Sequence, residues 1–171
     1  MHELFEHTAD LGLRATAPDL DALFAEMATC LVSAMIEDPA CVRPLEETQI
    51  ELAGTDREFL LFDWLKELLL RFETESVLFA AFDVHVSDSG LTATLRGEPF
   101  DAERHAFAHE VKAITYHELK VVEHNGGWLA EVIVDILNQP QMNTDKHRSE
   151  ENIECFVPIC VHLCSSVATR N

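Results

Sequence analysis

The sequence predicts an α+β fold, layered, with a mainly antiparallel β-sheet and two long amphipathic helices. Three observations carry that expectation. Two apolar series recur with helical spacing in the first half of the chain. The second half holds alternating segments joined by two tight-turn sequences. The order of elements, β-α-β-α-ββ-βββ, is not the regular alternation of a parallel α/β fold, so helices covering an antiparallel sheet are the natural packing.

The elements follow in order. Leu11, Leu13 and Ala15 alternate with Gly12, Arg14 and Thr16, which predicts a strand. Asp19 stands where a helix cap belongs, before Leu20, Leu23, Phe24, Met27, Leu31 and Met35, whose spacing is helical. That helix must stop by Pro39, because the residue before a proline avoids the helical region. Thr48 to Leu52 alternates and reads as a short strand. A second helix is predicted from about Asp56 to Phe72, with an apolar face of Phe59, Leu61, Phe62, Leu65, Leu68, Leu69 and Phe72 and with Trp64 bordering it. Phe82, Val84 and Val86 alternate with polar residues, Asp88-Ser89-Gly90 makes a turn, and Leu91 to Leu95 alternates again, giving a hairpin. An irregular piece from Asp101 to Phe107 precedes strands at Val111 to Tyr116 and Lys120 to Glu123. Asn125-Gly126-Gly127 is a second hairpin turn, and Trp128 to Ile136 is the last apolar strand.

Length and charge narrow the function. The chain has 171 residues and a formal charge of −19. At this length one domain buries a core without disulfide or metal staples. A charge of this sign disfavours a stand-alone nucleic-acid binder, which needs clustered Lys and Arg. It equally disfavours docking on anionic membranes. The charge is unevenly placed: residues 1–136 hold 27 acids and 9 bases, residues 137–171 only 4 and 3. The later stretch opens on a polar run containing Pro140 and carries three of the five cysteines, so a boundary is drawn at Ile136. Residues 1–17 lack a basic region followed by an apolar run, and no apolar stretch reaches about 18 residues. With an odd, uneven set of cysteines, the expectation is a cytoplasmic protein with reduced thiols.

No phosphate-binding glycine loop, nucleophile elbow, His-Glu-x-x-His or Cys-x-x-Cys occurs. Cys155, Cys160 and Cys164 lack an obvious fourth ligand and read as plain thiols. Asp10 sits at a strand entry and Asp135 inside the apolar run Val132 to Ile136, where a charge is expensive to bury unless paired or bound to a cation. Composition leaves both readings open for each: Asp10 as a turn carboxylate, Asp135 as a strand-end acid facing solvent. His7 could equally be a hydrogen-bonded structural imidazole, and Lys112 a solvent-facing strand lysine, though it is one of few bases in an acidic segment.

Five blocks together carry a resemblance. His7-Thr8-Ala9-Asp10-Leu11-Gly12-Leu13 resembles the opening motif of the archease family, and Phe62-Asp63-Trp64-Leu65-Lys66-Glu67-Leu68-Leu69 its second-helix pattern. Arg96-Gly97-Glu98-Pro99-Phe100, Glu110 to His117, and Gly126 to Ile136 resemble three further blocks, in the family's order and spacing. The resemblance covers residues 1–136. It implies a non-enzymatic activator of an RtcB-type RNA ligase, which promotes guanylylation and multiple turnover in tRNA splicing or RNA repair. It also implies a divalent cation, calcium, held by Asp10, Asp135 and the carbonyl oxygen of Ile136, with Lys112 as a functional charge contact and His7 within the motif. The chain runs 35 residues past Ile136, where the family pattern ends, and nothing is carried over onto residues 137–171. Two other function classes stand beside this one. A metal-dependent hydrolase would use Asp10, Asp135 and His7 to activate water. A general chaperone or modulator would hold basic proteins on apolar and acidic surface.

Overall fold

The computed structural model describes residues 1–8 and 10–137. Eight strands and two helices run in the order β1 (His2–His7), β2 (Asp10–Ala17), α1 (Leu20–Met35), β3 (Glu46–Ala53), α2 (Arg57–Glu75), β4 (Val77–Ser87), β5 (Gly90–Pro99), β6 (Val111–Ile114), β7 (Lys120–His124) and β8 (Gly127–Ile136). This is the α+β layered architecture that the sequence predicts, with every strand pair antiparallel. The extension expected over residues 137–171, with Cys155, Cys160 and Cys164, lies outside the described residues from position 138 on.

The strands form two sheets rather than one. The larger has the order β1-β2-β8-β6, with β7 also pairing β8, and the smaller has the order β3-β5-β4. β8 therefore lies between the N-terminal hairpin on one side and β6 and β7 on the other. Ala130 to Val134 are buried one after another, so both faces of β8 are covered there, and a strand covered on both faces reads as a nearly continuous apolar run.

Helix α1 packs against β2 of the larger sheet and β4 of the smaller, so the two sheets share its apolar surface. Leu23, Phe24, Met27, Ala28, Leu31 and Met35 are buried in that contact. Asp19 caps the helix by accepting from the Ala22 amide at 2.8 Å, as its position before the apolar series predicts. Asp56 does the same for α2, accepting from the amides of Glu58 and Phe59 at 3.0 Å.

Three expectations need correction. A strand at residues 2–7 was not predicted. It is the edge of the sheet, where alternation is weak because Leu4 and Glu3 are both exposed. On α2, Trp64 does not border the apolar face but sits at its centre, fully buried, with its indole N–H donating to the Phe24 carbonyl of α1 at 3.0 Å. Phe59 is the residue at the margin, 58 % exposed, where it meets Tyr116 edge to face.

One buried polar cluster ties loops to the smaller sheet. Glu98 at the end of β5 is 2 % exposed and accepts from the Arg43 amide at 2.8 Å, while Arg104 reaches it at 2.7 Å and the fully buried His105 lies at 3.3 Å. Burial alone raises a carboxyl pKa, but hydrogen bonds from Arg104 and the Arg43 amide, with the charges of both arginines, outweigh it and hold Glu98 down at about 2. Among the described residues, every buried side-chain nitrogen and oxygen has a hydrogen-bond partner. Burial pushes the Cys30 thiol up to about 12, so it packs as an apolar group. Among the described residues no helix is long and apolar enough to cross a membrane.

Candidate functional site

The outer face of the larger sheet carries the site. Along β2, Leu11, Leu13 and Ala15 point into the core, so Asp10, Gly12 and Arg14 point outward. Residues paired across an antiparallel ladder share a face, and the registers then line up side chains in rows across the strands.

The middle row is Phe5, Gly12 and Ile133. The Phe5 ring lies over Gly12 so closely that an added Cβ would meet it at 2.2 Å. Only glycine lets the ring settle there, and the ring in turn shields Ile133.

The row beside it is Glu3, Arg14, Glu131 and Lys120, whose charges alternate in sign across four strands. Arg14 pairs with Glu3 at 2.7 Å and with Glu131, and Lys120 pairs with Glu131 from the other side. The Arg14 guanidinium also stands 4.6 Å over the Phe5 ring. Burial raises the Glu131 carboxyl, but hydrogen bonds from Lys120 and Arg14 outweigh that and lower its pKa.

The row on the opposite side of Phe5 is His7, Asp10, Asp135 and Ala113. His7 pairs with Asp10, and Asp135 pairs with Ala113. Leu11 pairs with Val134, so one step further along these strands sets Asp10 beside Asp135. Two carboxylates on neighbouring strands repel, the sheet equivalent of a mismatched pair. The arginine and lysine on this face are already engaged by Glu3 and Glu131 in the other row. Among the described residues neither carboxylate has a salt-bridge partner, and carboxylate oxygens are of the kind that suits a hard cation.

Four of the five residues singled out from sequence thus meet at one end of the sheet. His7, Asp10 and Asp135 share a row, and Ile136 follows on β8, opposite Val111. Lys112 is placed differently. A register shift between Val111 and Ala113 bulges the strand at Lys112. Bulges re-aim side chains, and here Lys112 lines a groove against α2 with Phe62, Lys66, Leu69, Leu70 and Glu73. It is exposed, next along the strand to the partner of Asp135, and faces the helix edge.

Sequence reasoning missed His117 and Glu118. They follow β6 and come up against His7, with the His7 Nε2 3.8 Å and the His117 Nε2 3.9 Å from Glu118 Oε1. Their one sequence signal is that His117 closes the Glu110 to His117 block and a second metal-capable residue, Glu118, follows it directly. They sit in the connection between β6 and β7, more than 100 residues from His7 in sequence, so no local pattern shows their approach.

Comparison with known proteins gives consistent results. A family model described as the archease protein family matches residues 2–136. A protein of Methanopyrus kandleri named protein archease is 42 % identical over 138 residues, spanning 78 % of this chain and 98 % of that one. The Pyrococcus furiosus protein of the same name is 37 % identical over 142 residues, spanning 78 % and 97 %. The solution structure of a Methanobacterium thermoautotrophicum protein superposes with a TM-score of 0.70 at 38 % identity, covering 78 % of this chain and 97 % of that one.

Proposed function

The chain belongs to the archease family, and from that premise we propose that it is a non-catalytic protein cofactor of an RtcB-type RNA ligase. It acts in the cytoplasm, promoting ligase guanylylation and turnover in tRNA splicing or RNA repair. One observation carries the site assignment: the sheet register sets Asp10 beside Asp135 on an outward face whose other charged row is internally balanced. That unbalanced pair, with the Ile136 carbonyl, is the position for a divalent cation, Ca2+. Lys112, exposed on its bulge, is the contact to the ligase or to a phosphate, and His7 borders the pair on the partner-facing side.

Two carboxylates and a carbonyl fall short of the six to eight oxygens that calcium takes. The isolated chain therefore binds it weakly, at about 10⁻⁴–10⁻³ M, and the ligase or a phosphate completes the shell. The cation's contribution is positive charge at an acidic surface, where an anionic group can then be held. The acidic balance of the domain agrees with a cofactor that leaves the RNA to its partner. The activity resides in residues 1–136.

The test is a guanylylation assay on a purified RtcB-type ligase. A substoichiometric amount of the full chain is expected to accelerate it, and a version truncated after Ile136 to do the same. No acceleration by either overturns the reading. Hydrolysis of phosphoesters or phosphoanhydrides by the chain alone would replace it with the hydrolase, and suppression of aggregation of unrelated proteins with no effect on the ligase would replace it with the chaperone.

A further inference from the structure

We propose that His7, His117 and Glu118 form a binding position for a borderline divalent transition ion of the zinc class, separate from the Asp10–Asp135 pair. The three side chains each offer one donor atom, all within 4.8 Å of one another. The two imidazole Nε2 atoms stand 3.8 and 3.9 Å from Glu118 Oε1. These separations are too long for hydrogen bonds. Donors around a tetrahedral zinc ion, with bonds of about 2.0–2.1 Å, lie about 3.4 Å apart. The two imidazole–carboxylate separations must contract by about half an ångström to reach that spacing, and the set as a whole, spread over up to 4.8 Å, by up to about 1.4 Å, for which the exposed ends of His117 and Glu118 leave room. The rings of His7 and His117 are tilted by 58° with centroids 5.4 Å apart, so they do not stack on each other.

The supports of both histidines are fixed. Thr8 Oγ1 lies 3.3 Å from His7 Nδ1, which leaves Nε2 as the nitrogen facing Glu118. An outer partner on the second ring nitrogen is what orients a metal-binding imidazole. On the other side, the Thr115 hydroxyl donates to the Ile133 carbonyl at 2.8 Å and accepts from the His117 amide at 3.2 Å. Tyr116, between them, stacks on Phe62 of α2 at 3.8 Å and 14°. Thr8 and Glu118, each directly after one of the histidines, adopt positive φ of 51° and 53°. A non-glycine residue there carries backbone strain, which the surrounding structure must hold in place. Here the strained turns bring three donors together.

Two imidazoles and a carboxylate select for zinc, nickel, cobalt or copper and against calcium. None of the donors belongs to the Asp10, Asp135 and Ile136 set, although His7 is the cross-strand neighbour of Asp10, so the two positions adjoin while using different donors.

The probe is Co2+, titrated into the full, reduced chain. Saturable visible absorption of nitrogen and oxygen coordination is expected, with selective broadening of the His7 and His117 imidazole proton resonances. H117A and E118Q, both at exposed side chains, are expected to lower Co2+ affinity by about tenfold or more, with circular dichroism unchanged. D135N, which takes a carboxylate from the other position, keeps wild-type Co2+ affinity. Wild-type affinity in H117A overturns the proposal, as does equal loss in D135N. A near-ultraviolet thiolate band that vanishes when Cys155, Cys160 and Cys164 are changed to Ser also overturns it, by placing the ion on the thiols.

Discussion

Two rows of side chains on one sheet face, separated only by Phe5, Gly12 and Ile133, place their acids in opposite surroundings. In the row of Glu3, Arg14, Glu131 and Lys120 each acid has a cation beside it. In the row of His7, Asp10 and Asp135 two acids meet each other. The first arrangement holds the strands in register. In the second, no arginine or lysine pairs with either acid among the described residues, and the binding reading proposed above rests on that contrast. Both rows run over β1, β2 and β8, and what separates them is that one places Arg14 and Lys120 beside its acids while the other has no arginine or lysine in it.

The contrast breaks most visibly in function. D10A and D135A are expected to abolish ligase stimulation, and K112A to do so through the partner contact, all with the domain folded. Full stimulation by these variants in the guanylylation assay would end the site assignment. Stability should then move in opposite directions in the two rows. E131A is expected to cost about 1.5–3 kcal/mol in urea unfolding, since charged hydrogen bonds from Arg14 and Lys120 are lost together. D135N, measured with chelator present, is expected to gain about 0.2–1 kcal/mol by relieving repulsion. A loss in D135N as large as in E131A removes the distinction.

Calcium sharpens the same comparison. At 1 mM it should stabilise the wild type by about 0.4–1.4 kcal/mol, given the affinity proposed above, and leave D135N unchanged, as followed by thermal unfolding. Acid acts on the balanced acids instead. The pKa values of Glu98 and Glu131 are depressed in the folded protein. Their stabilisation is therefore complete above the ordinary carboxylate value of 4.5 and is lost as pH falls below it, towards about 2 for Glu98. An E98Q variant should flatten that part of the pH–stability curve. The smallest effect belongs to K120A. Its lysine is exposed, and the change is expected to stay within about 1 kcal/mol.

Much of the fold could be read in the sequence because the signals are local. The cap at Asp19, the start of α2 near Asp56, the Asp88-Ser89-Gly90 and Asn125-Gly126 turns and the two-residue alternation of β4 and β5 each depend on neighbours in the chain. The strand β1 escaped because an edge strand buries little. Trp64 was misplaced because its depth depends on α1 lying across it, not on its own helix. The split into two sheets escaped because the partner of β2 is β8, from the far end of the domain. The same reason governs the site. Asp10 and Asp135 stand out as oddly placed acids, but their adjacency is a product of register, and the approach of His117 and Glu118 to His7 is made by the β6–β7 connection, distant from it in sequence.

The central position of β8 has a consequence for timing. It is the last strand of the domain to be synthesised, yet the β1–β2 hairpin, made first, waits for it as a partner, and β6 and β7 need it too. Closure between sequence-distant strands is slow, so the larger sheet completes late. The pairing that completes it is the one that sets Asp135 beside Asp10. The position proposed above for a cation thus exists only in a chain whose larger sheet has closed.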